Sequence, residues 1–219
     1  MKRILFLIAS ALAVAAVAGC GLSKTNSRSD SDQYATEKRD GFGFREIRAG
    51  RDVILIVEVQ KEYDVAVEGP EKLLRDVKTE VSGETLIITT GGEITPSNKM
   101  RLKISTPELL NLELWGASEA TVRSVSGDSL KLQVGGSSSL TIDGRTKKLD
   151  ATANGASRID GENLKTETAE VRANGSSEIT CFVADDLTAE AFGASTVFYL
   201  GDPKNVKPAV AGAGEVRKK

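Results

Sequence analysis

Hydrophobic side chains recur in a fixed pattern through the second half of the chain, from Pro107 onward. Within each period of 18–20 residues, apolar and polar residues alternate, which is the pattern of strands with one buried face. The apolar positions lie four and two residues before, and four residues after, a recurring glycine. They hold Leu112, Leu132, Ala151, Val171, Ala189 and Pro208; Leu114, Val134, Ala153, Ala173, Ala191 and Val210; and Ala120, Leu140, Ile159, Ile179, Val197 and Val216.

The recurring glycine marks each copy of the repeat. Five copies read WGAS, GGSS, NGAS, NGSS and FGAS, and the sixth, AGAG, has lost its serine. We predict that each copy is one coil of a parallel β-solenoid, in which equivalent residues form ladders about 4.8 Å apart. Glycine also allows the backbone to bend where a coil turns a corner. The six glycines are Gly116, Gly136, Gly155, Gly175, Gly193 and Gly212.

A second geometry is compatible with part of this pattern. Asn154-Gly155 and Asn174-Gly175 are typical of two-residue hairpin turns, which would give an antiparallel meander. The other copies lack this turn chemistry before the glycine, and the Gly-x-Ser pair continues the inward pattern through the supposed turn. The sequence therefore favours an all-β fold with about six coils of 18–20 residues over residues 107–219.

A β-rich part without the repeat precedes the solenoid, over residues 41–106. Residues 53–57 (VILIV) predict a buried strand, and the alternation over residues 63–67 predicts a half-buried one. Further strands are expected at 86–88 and 102–104. The segment EKLLRDV, residues 71–77, predicts a helix of about two turns, the only one expected beyond the N-terminal apolar run.

The chain opens with a targeting sequence rather than with folded structure. Met1-Lys2-Arg3 is basic, and the uncharged apolar run over residues 4–18 is shorter than the roughly 20 residues of a membrane-spanning helix. The run ends in Val17-Ala18-Gly19-Cys20, which resembles a bacterial lipoprotein signal whose cysteine is acylated and becomes the mature N-terminus. We therefore predict a lipoprotein signal peptide over residues 1–19. An ordinary signal peptide with a chance cysteine is the alternative.

Residues 20–40 are predicted to form a lipid anchor and a flexible polar tether, because the segment after Cys20 is polar and has no period. Several acyl chains, at about 0.8 kcal/mol per buried methylene, hold a protein durably on a bilayer. By resemblance to lipoprotein sorting, Gly21, a residue other than Asp, favours the outer membrane. The predicted location is the cell envelope, with the membrane as a partner through the acyl chains.

Composition narrows the chemistry that the chain can perform. It has no His and two Cys among 219 residues, which excludes a Ser-His-Asp triad, a His-ligated metal and a Cys-rich zinc site. A formal net charge of −2 gives no electrostatic footprint for nucleic acid. We predict no catalytic residues, no metal, no cofactor and no nucleic-acid partner. Cys181 falls on the inward pattern and is expected to be a small buried hydrophobe.

Two groups of side chains are candidates for a site. Trp115 and Phe192 hold the outward position just before the glycine, where an exposed ring could stack on a sugar or on a protein partner. We favour the alternative that the N-terminal segment or a neighbouring loop covers each ring. The second group comprises carboxylates of the kind that a polysaccharide lyase or hydrolase uses, although turn chemistry explains their place beside glycines. These are Asp143, Asp160, Asp185, Asp186 and Asp202, of which Asp143 and Asp160 are candidates for an acidic patch on neighbouring coils.

The repeat copies, followed by Phe198-Tyr199-Leu200-Gly201-Asp202-Pro203, resemble the bacterial family described as putative auto-transporter adhesin, head GIN domain. The opening is similar too, with a Phe-rich start, a strand pair and a short "LL" helix, and the resemblance spans about Phe42 to Val216. It implies a right-handed parallel β-helix. The adhesin name rests on fold analogy, and no catalytic motif is carried across. The chain departs from the family at Trp115, where a small polar residue is usual, and at Gly212-Ala213-Gly214, where the serine is lost.

These features predict a non-enzymatic lipoprotein of the cell envelope that presents a β-solenoid on a tether. The expected role is adhesion, or a structural or interaction role, with a glycan or an envelope or surface protein as the partner. The alternative is a carbohydrate-active enzyme, a polysaccharide lyase or hydrolase, that uses surface carboxylates.

Overall fold

A computed structural model describes residues 33–92, 94 and 98–219. The predicted signal peptide, Cys20 and most of the predicted tether lie outside these residues. The described residues contain no helix that is both long and apolar enough to cross a membrane. Their strands are β1 Tyr34–Arg39, β2 Glu46–Gly50, β3 Val53–Val59, β4 Asp64–Pro70, β5 Val77–Ser82, β6 Thr85–Thr90, β7 Met100–Thr106, β8 Asn111–Trp115, β9 Glu119–Val134, β10 Ser139–Gly155, β11 Arg158–Gly175, β12 Glu178–Gly193, β13 Thr196–Leu200, β14 Asn205–Gly212 and β15 Glu215–Lys218.

The repeat forms a parallel β-solenoid, as the spacing of the glycines predicts. Each of the long strands β9 to β12 runs along most of one coil and pairs in parallel with the coils beside it. Gly155 lies opposite Gly175 and Gly175 opposite Gly193, so the copies are in register. The solenoid has about five turns, close to the predicted six. The alternative of hairpin turns is wrong, because Asn154-Gly155 and Asn174-Gly175 are neighbours in parallel strands.

The glycine of each copy lies at a corner of the coil. All six recurring glycines have positive φ, from 77° to 87°, which is the left-handed region that L side chains rarely adopt. The corners also approach one another closely, since a Cβ on Gly155 would lie 2.8 Å from the carbonyl oxygen of Gly136. That carbonyl accepts a hydrogen bond of 2.8 Å from the backbone N–H of Ala156. Glycine is therefore needed both for the turn and for the contact between coils.

The serine two residues after each of the first five glycines is buried inside the corner. The one hydroxyl proton of Ser177 is shared between the carbonyls of Asn174 (3.0 Å) and Ala153 (3.1 Å), and that of Ser195 between the carbonyls of Phe192 (3.0 Å) and Ala173 (2.8 Å). Each of these two hydroxyls thus bonds across its own corner and to an earlier coil. The abundant serine of the repeat has a structural role here, because a buried hydroxyl without such partners would be costly.

The core is one continuous ladder of apolar side chains. On one wall the residue two before the corner is Leu114 in the first copy, Val134 in the next, and Ala153, Ala173 and Ala191 in the following three, and all five are fully buried. Small residues therefore replace large ones along this wall of the stack.

The N-terminal strands belong to the same sheet, but they do not follow chain order. β2 lies between β6 and β8, and β3 lies between β7 and β9, all in parallel. The β2–β3 segment therefore forms a coil directly before the repeat, and the β6–β7 segment stacks on its far side. β5 pairs antiparallel with β6, and β4 pairs antiparallel with β7.

Two local features differ from the sequence-based expectations. Tyr34–Arg39, placed in the flexible tether, forms β1 and pairs antiparallel with β4. Because this edge strand is mostly exposed, it needs few apolar residues, and its polar sequence resembled a linker. The expected two-turn helix is a 3₁₀-helix, Glu71–Asp76, with Leu73 and Leu74 buried. Strands enclose it immediately on both sides, so only six residues are available.

Candidate functional site: an exposed tryptophan groove

Trp115 ends β8 on the outer face, and its side chain is 40% exposed. The ring therefore reaches solvent, in contrast to the favoured interpretation that another segment covers it. A Cβ on Gly135 would collide with the six-membered ring of the indole. The absence of a side chain at Gly135 thus creates the place where the ring rests on the next coil.

A groove of about 380 Å³ opens on the other side of the indole. Gly50 lies opposite Trp115 in the parallel pair of β2 and β8, and a Cβ on Gly50 would meet nothing within 4 Å. The groove therefore exists because one side chain is missing from the outward column. Its lining also includes Arg48, Arg51, Ile87, Ile88, Thr89 and Thr90.

The corner beside this groove has an unusual backbone. Arg51 follows Gly50 as Gly116 follows Trp115, so it takes the corner position that glycine holds in the repeat. Its φ is +64°, and that of Asp52 is +56°. A non-glycine residue in the left-handed region is strained, at a cost on the order of 1–3 kcal/mol.

Hydrogen bonds fix this strained corner to both sides of the groove. The N–H of Arg51 donates to the carbonyl of Trp115 (3.2 Å), and Thr90 Oγ1 donates to the carbonyl of Arg51 (3.1 Å). The side chain of Arg51 is exposed and forms no ion pair with any residue that the structure describes.

The second cation of the groove, Arg48, is already paired. Its guanidinium donates to both carboxylate oxygens of Glu113, at 2.7 and 3.2 Å. This hydrogen-bonded pair holds the pKa of Glu113 below its ordinary value and that of Arg48 above its own. Arg48 is therefore already bonded to Glu113. The guanidinium of Arg51, at the rim of the groove, has no ion-pair partner among the described residues.

The structure does not bring Phe192 to this groove. Phe192 is half-buried in β12, between Asn174 on one side and Ala211 on the other. It stands four coils from Trp115 in the same outward column, about 19 Å at the usual strand spacing. The two aromatic candidates therefore do not form one site.

Asp143 and Asp160, the candidates for an acidic patch, do not lie directly opposite one another. Asp143 and Asp160 lie on neighbouring coils, but Asp143 is opposite Asn163 and Asp160 is opposite Thr141. Asp143 Oδ1 accepts the N–H of Ser124 (2.9 Å), whose φ is +61°, and Asp160 Oδ1 accepts the N–H of Glu162 (3.2 Å). Asp143 thus stabilises the backbone of the preceding coil at Ser124, and Asp160 stabilises its own turn.

The remaining carboxylates make contacts near the C-terminal end. Asp185 pairs with Lys204 (2.6 Å), and Asp186 accepts a hydrogen bond from the amide of Asn205 (2.7 Å). Asp202 accepts a bond from Lys218 (2.5 Å), which lowers the pKa of its carboxyl. No group of three or more Cys, Asp or Glu within the described ranges is arranged to hold a metal ion.

Cys181 is buried, 1% exposed, as its place on the inward pattern predicts. Burial raises the pKa of its thiol to about 12. A thiol that remains protonated at neutral pH is a poor nucleophile, so Cys181 contributes to the core rather than to a reaction.

Residues 43–203 match the model of the family described as "Putative auto-transporter adhesin, head GIN domain". The chain belongs to this family. The resemblance carried by the repeat copies is therefore confirmed, and the head GIN domain covers the β2–β3 coil, the Trp115 groove and most of the solenoid. A search of curated proteins gives no match.

Solved structures share the fold of this head GIN domain at low sequence identity. A putative adhesin from Bacteroides fragilis superposes with a TM-score of 0.70 at 18% identity, over 87% of this chain and 99% of that chain. A putative adhesin from Parabacteroides merdae gives 0.53 at 17%, over 86% and 97%. A putative lipid binding protein from Parabacteroides distasonis gives 0.51 at 17%, over 86% and 97%. At these identities the likeness shows the fold alone.

Sequence reasoning singled out Trp115 but missed Gly50 and Arg51. Both lie in the part without the repeat, about 65 positions before their neighbours in space. A Gly-Arg-Asp turn directly before the strand predicted at 53–57 was the available signal, but only the register of β2 against β8 shows what it faces.

Proposed function

We propose that the chain is a non-enzymatic lipoprotein of the cell envelope whose head GIN domain binds a surface glycan through the Trp115 groove. Membership in a family described as adhesins supports an adhesion or interaction role. The exposed indole supports a sugar as the ligand, because an aromatic surface beside polar donors suits a ring with apolar and hydroxyl faces.

The observation that carries the proposal is Arg51. Glycine relieves backbone strain at the corners of the repeat, yet Arg51 holds the equivalent place with φ +64°. Strain that persists where glycine would remove it is characteristic of functional positions. The strained residue carries an exposed guanidinium at the rim of the groove. This group is a hydrogen-bond donor suited to sugar hydroxyls or carboxylates.

Substitution of Arg51 by Gly separates function from fold. Arg51→Gly should leave the unfolding midpoint unchanged or raised, because the strain is relieved, and should weaken glycan binding. The measurement is binding of the purified Cys20→Ser chain to a printed array of bacterial and host glycans, followed by titration of the strongest oligosaccharide. Gly50→Thr, which fills the groove, should also abolish binding. Phe192→Ala, in the same column but outside the groove, is the control.

Equal binding by Arg51→Gly, Gly50→Thr and the parent chain would place any glycan site elsewhere on the molecule. Absence of binding to every glycan on the array would contradict a glycan ligand and leave a protein partner as the surviving form of the adhesion role.

The lipid anchor is the second part of the proposal. The basic start, the apolar run and the sequence Val17-Ala18-Gly19-Cys20 support acylation at Cys20. Thirteen residues, 21–33, separate Cys20 from β1, and a stretch of this length spans at most about 45 Å when fully extended. Gly21 supports the outer membrane as the destination.

Fractionation tests the anchor. Cys20→Ser should move the protein from the membrane fraction to the soluble fraction, since the acyl chains are lost. Cys181→Ser, which changes the other cysteine, should leave it in membranes. Retention of Cys20→Ser in the membrane fraction would refute acylation as the means of attachment.

No observation favours the rival enzyme function, because each of the five candidate carboxylates is used by a neighbouring donor. A panel of acidic polysaccharides should therefore show no chain cleavage. Turnover that survives purification and disappears in Asp143→Asn or Asp160→Asn would overturn the non-enzymatic proposal.

A further inference from the structure

A second groove, of about 520 Å³, lies on the other outer face of the coils, across β9 to β12. Two cations stand in it directly opposite one another, Arg145 on β10 and Lys165 on β11. Both side chains are exposed, and neither forms an ion pair with any residue in the described part of the chain.

This pair lacks the compensation that other charged pairs of the ladders have. Arg172 pairs with Glu190 (2.9 Å) and Arg158 with Glu178. Asp150 and Glu170 are also like charges in register, but Lys131 lies opposite Asp150, and Arg172 pairs with Glu170. Like charges directly opposite one another destabilise a sheet. Arg145 and Lys165 therefore oppose folding where they stand, and an anionic ligand would relieve their repulsion.

Lys165 is held in place by an aromatic ring. Its Nζ lies 3.7 Å from the centroid of the Phe182 ring, which is cation–π geometry. The contact depends on a bulge in β11. Three residues separate Gly161 from Lys165 on β11, whereas their partners on β12, Cys181 and Phe182, are adjacent. The bulge brings Lys165 over Phe182 and fixes the second cation beside Arg145.

A missing side chain forms the groove, as in the Trp115 groove. Gly127 faces Thr146 in the parallel pair of β9 and β10, and Thr146 faces Thr166 on the next coil. Both threonines are buried, whereas a Cβ on Gly127 would meet nothing within 4 Å. The φ of Gly127 lies outside the left-handed region, so the backbone there does not require glycine.

We propose that this groove binds an acidic sugar residue of a polysaccharide. The carboxylate lies between Arg145 and Lys165, and the sugar ring occupies the space above Gly127, against the apolar surface of Phe182. An arginine fork beside a second cation is suited to a carboxylate. The far rim carries Asp128, which is paired with Lys147 (2.8 Å), and Glu167. This mixture of charges favours a ring with one carboxylate over a densely charged polyanion.

The backbone argues against a peptide as the occupant. An extended peptide adds to an exposed sheet edge through main-chain hydrogen bonds. At the groove, Arg145-Thr146 of β10 and Lys165-Thr166 of β11 are paired on both sides, so no free sheet edge is available there. A sugar needs only side-chain donors and an apolar surface, and the groove supplies both.

This site is separate from the Trp115 groove, and its test does not depend on binding there. The Cys20→Ser chain is titrated with oligomannuronate and hyaluronan oligosaccharides by calorimetry at low and moderate salt. The controls are the same oligosaccharides with their carboxylates reduced to alcohols. We expect binding of at least one acidic oligosaccharide, weakened by salt, and a loss of about tenfold or more for its reduced form.

The variants locate the site. Arg145→Gln and Lys165→Gln should each weaken binding about tenfold, the effect of one charge-assisted hydrogen bond. Gly127→Thr should abolish binding while the unfolding midpoint is kept, because threonine already stands at the next two positions of the column. Phe192→Ala is the control: this residue lines neither groove, and the variant should leave acidic-sugar binding unchanged.

Several outcomes would overturn the proposal. Absence of binding to both acidic oligosaccharides would do so, as would equal binding of the reduced forms. Equal or tighter binding of poly-glutamate or inorganic phosphate would show a general anion site. Loss of binding in Gly50→Thr but not in Gly127→Thr would assign the sugar to the Trp115 groove instead.

Discussion

Each of the first five repeat corners places a glycine two residues before a buried serine, and both residues act on the backbone. The glycine permits positive φ and close approach between coils, and the serine bonds the carbonyls that the corner leaves inside. Sequence alone revealed this pair, because it recurs with the period of the coil. Its physical reason, a contact of 2.8 Å between a would-be Cβ and a carbonyl oxygen at Gly155, becomes visible only in the stacked structure.

Gly155→Ala tests the corner. The added methyl would meet the Gly136 carbonyl at a φ of +81°, so we expect a loss of about 1–3 kcal/mol in the free energy of unfolding, measured by urea denaturation. Gly127→Ala is the matched control, since its Cβ enters open space, and it should be neutral or slightly stabilising. Equal losses in the two variants would show that corner geometry is not the cause.

Ser177→Ala tests the other half of the corner motif. Loss of the hydrogen bonds to the carbonyls of Asn174 and Ala153 should cost about 1–2 kcal/mol. Its neighbour Ser176 is exposed, and Ser176→Ala should leave the urea midpoint unchanged. A neutral result for Ser177→Ala would mean that the buried hydroxyl contributes nothing to stability.

Cys181 should make the free energy of unfolding fall at high pH. Burial raises the pKa of its thiol from 9.0 to about 12 in the folded chain, whereas the unfolded chain retains the ordinary value. Above pH 9 the unfolded state therefore loses this proton first, and the stability due to Cys181 falls as the pH rises toward 12. The free energy of unfolding of the parent chain, relative to Cys181→Ala, should decline over this range and stay constant below it. A constant difference throughout would contradict a buried, protonated thiol.

At the scale of strands, alternation identified the buried wall but not every pairing. The inward columns follow from period two within a period of 18–20 residues. The alternation does not predict that Arg145, Lys165 and Phe182 lie side by side on neighbouring strands. Neighbouring coils differ in length, and this register depends on where the extra residues of the longer coil bulge out. That position is set by the bulge in β11, which leaves no mark in the repeat.

A charged substitution in the inward column tests whether its side chains face the core. Val171 is fully buried in β11, so Val171→Asp should cost about 3–5 kcal/mol and leave little folded protein at ordinary temperature. Thr152→Asp introduces the same charge on the outer face, opposite Arg172, and should be tolerated. Circular dichroism and thermal melts of the two variants provide the comparison. A stable, soluble Val171→Asp chain would refute the inward assignment.

At the scale of the whole molecule, the order of the coils escapes sequence analysis. The β6–β7 coil lies outside the β2–β3 coil, and the chain then returns to begin the repeat. No periodicity specifies this arrangement, because only long-range strand pairing decides which coil stacks on which. The Trp115 groove depends on that pairing, which is why Trp115 was recognisable in the sequence and its groove was not.

In the described structure, the strands of the last coil are paired on one side only. β14 pairs only with β12, and β15 only with β13, while Val210 on the inward pattern is 56% exposed. Amides of β14 and β15 should therefore exchange hydrogen much faster than those of β11, which is paired on both sides. Mass spectrometry of deuterium uptake measures this. Uniform protection along the stack would indicate that another surface covers the last coil.

The register of the corners has a consequence for how such a molecule changes in length. Gly136, Gly155 and Gly175 lie one above another. A gain or loss of a few residues within a coil would therefore move its corner out of register with the others, unless a bulge absorbed the change. A gain or loss of one entire copy would leave every corner aligned. Duplication or deletion therefore lengthens or shortens the head in whole steps of about 4.8 Å. Each copy adds one strand spacing to the stack. A copy gained or lost between the two grooves would therefore change the distance between them by one such spacing.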